Sequence, residues 1–374
     1  MSEYRFLVVG AGKSGLSAAL FIHQFNFKLF ISDTNKISEN TKILLNSKNI
    51  LYEECGHSFD KLKEYTTLVL SPGILSSSQI VLKAMNAGLS IINEIELAQI
   101  FISKYYQCHF KLIAITGTNG KSTTTNYCAQ LFAKENKNSF ALGNIGTSFC
   151  EWLLNIDKKS QETYIISLEL SSYQLENIYT LQPDVTVFLN IQNDHLARYE
   201  TLEEYFKAKW RLILMTKETG TAILTFDVLK FALHMGLEIP SCEIIILSFN
   251  NSLPIEKIKN KFNSIEHKKN HESLNRKLPT PFYKELKNQS EFFWIEKLNL
   301  KIATLKKLEK NNSYEFLFLK NDSYQKIMIE NSCLPGFHNA MNISFANLAG
   351  LSLDIVDVSS IISQWERIPQ HINI

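Results

Sequence analysis

Short apolar runs separated by glycine-containing turns set the pattern of the first hundred residues. FLVVG and FKLFISD are strand-like blocks, SGLSAALFIHQF between them is helix-like, and TTLVLSPG, AMNAG and LSIINEIELA continue the alternation. Such alternation predicts a parallel sheet with helices on its faces, over residues 1–104. A second set begins with QCHFKLIAITG, so a domain boundary is expected near residue 105. There LIAIT, TYIISLEL and DVTVFLN are apolar on both faces, as central strands of a mostly parallel sheet are, and each run ends in polar residues. The fold class is α/β. Ligands of open parallel sheets bind beyond the carboxyl ends of the strands, so these polar ends are expected to converge. Beyond about residue 250 the pattern fades: NNSLPIEKIKNKFNSIEHKKNHESLNRK is rich in Lys and Asn, has no clear period, and reads as solvated, variable surface. No internal repeat is found.

Candidate chemistry gathers in the turns. In TGTNGKSTTT (Thr116 to Thr125) a glycine-rich turn follows LIAI and precedes the helix-like YCAQLFA. Amides of such a turn, backed by a helix start, cradle phosphate oxygens; a lysine adds charge and a hydroxyl can ligate magnesium. The residues are Gly117, Thr118, Asn119, Gly120, Lys121, Ser122 and Thr123, with Ile115 where the general G-x-x-x-x-G-K-[ST] pattern has its first glycine. A P-loop-type ATPase domain is expected, an ordinary strand-turn-helix junction being the alternative. Upstream, GAGKSG fits G-x-G-x-x-G through Gly10, Gly12 and Gly15, with Asp33 as the acidic residue about 20 positions further on. It reads as a Rossmann-like turn for a nucleotide pyrophosphate, with a ribose or uracil-like group near Asp33, or else as a structural turn.

Three further residues stand out. Glu169 ends a run otherwise too apolar for a carboxylate, so a cation is expected beside it, magnesium near Ser122, unless the strand is an exposed edge. His195, in NDHLARY after DVTVFLN, is either structural or a ligand or polar contact. Lys209 sits within a helical stripe of Leu202, Tyr205, Phe206, Leu212 and Ile213. It either snorkels to the surface or is desolvated with a lowered pKa.

Composition narrows the partners. Hydrophobic residues make up 45% and charged residues 20% of the 374, as in ordinary globular chains. Thirty-nine Lys and Arg against 37 Asp and Glu give no electrostatic case for nucleic acid or membrane. The start MSEYRFLVVGAG lacks a leader pattern and no apolar stretch is long enough to span a bilayer, so a cytoplasmic protein is expected. The six cysteines lack metal or disulfide spacing, and buried free thiols are expected.

TGTNGKSTTT, GNIG (Gly143 to Gly146), LELSSYQLE, DHLARY with Lys209 downstream, and LPGFHNAMN (Leu334 to Asn342) together resemble the Mur ligases, over nearly the whole chain. The resemblance implies an ATP-dependent amide ligase of peptidoglycan precursor synthesis, which adds D-glutamate to UDP-N-acetylmuramoyl-L-alanine through an acyl phosphate. It implies ATP at Gly117 to Thr123, with Asn339 and Asn342 on the adenine side, and Lys121, Glu169, His195 and Lys209 as catalytic residues. Magnesium would be held by Ser122 and Glu169, and a second ion by His195 and Lys209, the lysine as a carbamate. The UDP-muramoyl substrate would meet Ser14, Asp33, Thr34, Gly73, Asn144, Ser171 and His195. The implied layout is a UDP-substrate-binding domain at 1–104, an ATP-binding central domain at 105–364, and at 365–374 only the entrance to a third, Rossmann-like domain that is otherwise absent. A monomer is expected. The alternatives are a ligase of the family acting on muramic acid and L-alanine or on folate, and a non-catalytic remnant that holds UDP-muramoyl substrate and ATP.

Overall fold

β1 (Arg5–Val9) sends Phe6 and Val8 into one apolar cluster and Leu7 and Val9 into another, so the strand is buried on both faces. In the computed structural model, which describes residues 4–135, 137–192, 198–249, 300–307, 314–320, 323–329 and 337–354, it is the middle of a five-stranded parallel sheet. The chain continues through α1 (Lys13–His23), β2 (Lys28–Ser32), α2 (Glu39–Ser47), β3 (Leu51–Glu53), a 3-10 turn (Phe59–Glu64), β4 (Thr67–Leu70), α3 (Gln79–Asn86), β5 (Ser90–Asn93) and α4 (Glu94–Tyr105). Strand order is β3-β2-β1-β4-β5. The order reverses between β1 and β4, which makes the crevice at their carboxyl ends the place where such a sheet takes a ligand.

The second sheet is built from β6 (His109–Thr116), α5 (Lys121–Lys134), β7 (Asn138–Gly143), α6 (Phe149–Leu153), β8 (Thr163–Glu169), α7 (Ser172–Leu175), β9 (Val185–Phe188), α8 (Leu202–Leu214), β10 (Thr221–Thr225), α9 (Phe226–His234), β11 (Glu243–Phe249), β12 (Leu300–Lys307), β13 (Tyr314–Lys320), β14 (Ser323–Ile329) and α10 (Phe337–Ser352). Its strands run in the order β14-β13-β12-β11-β10-β9-β6-β8-β7, parallel from β7 to β12, with β13 and β14 antiparallel. LIAIT, TYIISLEL and DVTVFLN therefore lie side by side as β6, β8 and β9. β6 again feeds two cores, Leu112 and Ala114 on one face, Ile113 and Ile115 on the other.

Residues 250–277, read as solvated surface, lie outside the described residues. The sequence pattern assigns no element to 300–329, where the structure has three strands. Their signal is the alternation in YEFLFLK and SYQKIMI, which buries Tyr314, Phe316, Ile327 and Ile329. Among the described residues no helix is long and apolar enough to cross a membrane.

Polar residues at the start of α4 join the two sheets. Asn93 Nδ2 donates to Gln174 O at 2.5 Å, Glu94 accepts from the Cys150 amide at the start of α6, and Glu96 accepts from the amides of Tyr179 (2.9 Å) and Thr180 (3.0 Å). Glu94 and Glu96 are buried, and each finds N–H donors there, as a buried carboxylate must.

Candidate nucleotide site

The turn after β6 is shaped by two glycines in the left-handed region. Gly117 has φ +152° and Gly120 +85°; a Cβ on Gly117 would come within 3.0 Å of Leu189 Cβ, and one on Gly120 within 2.5 Å of Asn342 Oδ1. Only glycine fits both the angle and the space. The polar residues after β9 brace this turn. Thr118 N donates to Asn190 O (3.0 Å), Asn119 N to Asn190 Oδ1 (2.9 Å), Gln192 N to Thr118 Oγ1 (3.0 Å), and Asn119 Nδ2 to Gln192 Oε1 (2.8 Å). Asn190 and Gln192 are not among the site residues expected from sequence, although they belong to the polar ends expected to converge. α5 starts at Gly120 with no capping side chain and no acidic residue in its first turn. α2, α4, α6, α7, α8 and α9 are each capped by a side chain. A helix start of this kind, at the mouth of a glycine turn, favours an anion.

Around the turn the expected residues come together. Ser122 Oγ donates to Glu169 Oε2 at 2.7 Å, and Asn144 Nδ2 to Glu169 Oε1 at 3.1 Å. Glu169, at the end of central strand β8, is 2% exposed, so the edge-strand alternative does not hold. Lys121 Nζ folds back onto Gly117 O (3.0 Å) and Thr118 O (2.8 Å). Lys209 is 1% exposed: it does not snorkel, and its Nζ donates to Gly117 O at 2.9 Å and lies 4.6 Å from the Tyr205 ring centre. Tyr205, Phe206, Leu212 and Ile213 of its stripe are likewise buried. Asn342, on α10, packs against Gly120, and Asn339 lies one turn before it. Ser171 caps α7, its Oγ accepting from Gln174 N at 3.3 Å. His195 lies outside the described residues. Among the described residues no three His, Cys, Asp or Glu side chains group together as a metal centre.

The first sheet presents its own glycine turn. Gly10 has φ +97°, and a Cβ on Gly15 would lie 1.8 Å from Gly10 O, so the helix packs against the turn only with glycine there. Asp33 braces it: Oδ2 accepts from Ala11 N at 2.6 Å and Oδ1 from Asn35 N at 2.8 Å. Ser14 lies in the first turn of α1, while Thr34 and Gly73 are exposed, Gly73 in the loop after β4, across the switch point from Gly10. Lys13 Nζ donates to Gly146 O, so GAGKSG meets GNIG.

Two family models match this layout, the MurD N-terminal domain over residues 5–80 and the Mur ligase middle domain over residues 115–288. The chain is a member of the Mur ligase family. The chain is 37% identical over 209 residues to a UDP-N-acetylmuramoylalanine–D-glutamate ligase of Bacteroides fragilis, covering 56% of this chain and 45% of that protein. It is 36% identical over 229 residues to the protein of the same name from Salinibacter ruber, covering 60% and 47%. The chain spans about half the length of the curated relatives it matches. Its fold is similar to that of a Neisseria meningitides UDP-N-acetylmuramate:L-alanyl-gamma-D-glutamyl-meso-diaminopimelate ligase, with a TM-score of 0.53 at 15% identity, covering 98% of this chain and 99% of that one. A murein peptide ligase of Psychrobacter arcticus gives 0.53 at 14% identity, covering 98% and 69%.

Proposed function

We propose that the chain holds UDP-N-acetylmuramoyl-L-alanine and ATP for an amide ligation that adds D-glutamate, in the cytoplasm and as a monomer. The observation that carries this reading is a glycine turn at the carboxyl end of each sheet: GAGKSG, tied through Lys13 to Gly146 of GNIG, and TGTNGKST, whose Ser122 shares the Glu169 carboxylate with Asn144 of GNIG. GAGKSG with Ser14, Asp33, Thr34 and Gly73 would take the UDP group; TGTNGKST would take the ATP phosphates, with Asn339 and Asn342 toward the adenine. Asn144, Ser171 and His195 would face the muramoyl end. The names of the relatives support D-glutamate as the amine.

In the proposed reaction a carboxylate oxygen of the muramoyl-alanine attacks the γ-phosphorus of ATP and ADP leaves. The D-glutamate amine then attacks the acyl phosphate carbonyl, phosphate leaves, and the amide loses its extra proton. Such transfer depends on positioning and charge neutralisation. Lys121 supplies positive charge at the turn, and the first-turn amides of α5 hold the phosphate oxygens in line. Ser122 and Glu169 offer a hydroxyl and a carboxylate 2.7 Å apart, a hard-oxygen set that fits magnesium. Bound there, the ion would neutralise phosphate charge. Lys209, buried beside Gly117 O, is the group proposed to be carbamylated and to serve a second ion with His195.

The test is phosphate release by the full chain with ATP, magnesium and UDP-N-acetylmuramoyl-L-alanine, with and without D-glutamate. Release that rises with D-glutamate and disappears in Lys209→Ala is expected. Binding of the UDP-muramoyl substrate without any release would instead make the chain a holding module.

A further inference from the structure

Arg198 and Glu176 stand apart from the phosphate turn, yet both reach across to the loop that carries Gly73. Arg198 Nη2 donates to Glu176 Oε2 at 2.6 Å and Nε to Oε1 at 3.2 Å, a two-toothed pair, while Nη1 donates to Pro72 O at 3.1 Å. Glu176 also accepts from Tyr199 Oη at 2.7 Å and from Ser76 Oγ at 3.0 Å. The guanidinium lies 4.2 Å from the Tyr173 ring centre, and the arginine side chain is 8% exposed. Burial by itself would raise the Glu176 carboxyl, but the hydrogen bonds from Arg198 and Tyr199 outweigh it and hold the group below its ordinary range.

The pair belongs to the second sheet's segments: Glu176 ends α7 and Arg198 precedes α8. Its targets, Pro72 and Ser76, belong to the first sheet's loop between β4 and α3, and they flank Gly73 on both sides. A planar guanidinium has the fork that this contact needs, since two nitrogens span one carboxylate and a third is left for the carbonyl. A lysine ammonium has no such geometry.

We propose that Arg198 and Glu176 are a positioning pair that fixes the Gly73 loop to the second sheet, and so sets the span between the UDP end and the muramoyl end of one substrate molecule. This rests on the reading under Proposed function. A ligand that bridges two units binds tightly when the span is preset, because the ordering cost is met before it arrives. ATP, held by the second sheet alone, gains nothing from the pair. The two ligands should therefore respond differently when it is broken.

Calorimetric titration of the full chain with UDP-N-acetylmuramoyl-L-alanine and, separately, ATP with magnesium tests this. Arg198→Ala should weaken the UDP-muramoyl substrate by about tenfold or more and ATP by less than about twofold. Arg198→Lys should recover only part of the loss. Ser76→Ala leaves the ion pair whole and removes one anchor of the loop; it should shift the same ligand in the same direction by roughly threefold. Unchanged substrate affinity in Arg198→Ala and Ser76→Ala, or substrate and ATP weakening in parallel, would overturn the proposal. A wild-type chain that binds ATP but no UDP-muramoyl substrate overturns the underlying reading, and that result is visible before any variant is made.

Discussion

Ser122 Oγ donates to Glu169 Oε2 across 2.7 Å, tying the first turn of α5 to the last residue of β8. The two residues are 47 positions apart in the chain, and the parallel pairing of β6 with β8 brings them together. Ile115 pairs in register with Glu169, so the carboxylate lies level with the end of β6, just before the turn. On the function proposed above, this carboxylate and hydroxyl would be the pair that meets the magnesium ion of ATP.

Glu169→Gln keeps the shape and the hydrogen-bonding partners but removes the charge. Magnesium-dependent ATP affinity should fall by about tenfold or more, while stability changes by less than about 1.5 kcal/mol, because no cavity forms. Titration with ATP, with and without magnesium, checks it. Equal ATP affinity in both proteins would show that the carboxylate does not act through the ion.

The glycines of the two turns should separate by geometry. Gly120→Ala and Gly15→Ala each place a Cβ into an occupied position, at 2.5 Å from Asn342 Oδ1 and at 1.8 Å from Gly10 O. Each should cost about 1–3 kcal/mol in urea unfolding. Gly12 has φ −71° and nothing within 4 Å of a Cβ, so Gly12→Ala should unfold within about 0.5 kcal/mol of wild type. On the function proposed above it should nonetheless weaken UDP binding, because the second glycine of G-x-G-x-x-G lets the backbone approach a pyrophosphate closely.

Lys209→Met replaces a buried ammonium by an apolar chain of similar length. Gly117 O then loses the donor at 2.9 Å, and the expected cost is about 1–3 kcal/mol. The variant should fold and release no phosphate. With labelled bicarbonate, a carbamate carbon signal should appear in wild type and be missing in Lys209→Met; the same signal in both would place the carbamate on another amine.

Burial pushes the Glu94 carboxyl up to about 7 from its ordinary 4.5, outweighing the hydrogen bonds from Cys150 and Ser148. The folded state then keeps a proton that the unfolded chain has already lost between those two values. The stabilisation is fully present below about pH 4.5 and is lost as pH rises toward 7, an effect on the order of 3 kcal/mol. Glu94→Gln has no proton to lose. The melting temperature of wild type should fall relative to this variant between about pH 5 and pH 8, and parallel profiles would remove Glu94 as the cause.

Much of the site was legible because local chemistry is written locally. GTNGKS and GAGKSG identify themselves through glycine's conformational range, and Glu169 and Lys209 through charge set in an apolar context. The fold class followed from runs such as LIAIT and TYIISLEL, whose apolar character on both faces suits only a buried parallel sheet. The strands after residue 300 carry a weaker signal because their apolar positions alternate with charged and polar ones, so that burial of Tyr314 and Phe316 depends on a partner strand the sequence does not name.

What the sequence determined, then, is the main parallel strands of both sheets and the positions of the glycine turns that follow them, since propensity, periodicity and glycine geometry act within a few residues. Which side chains meet was decided by strand order and by the docking of α4. Asn190 and Gln192 gain their role only because β9 lies beside β6. Arg198, Glu176 and Pro72 are ordinary residues in three separate stretches, and the contact that joins them spans 126 positions. The energy of a hydrogen bond depends on distance in space, and distance along the chain carries no record of it.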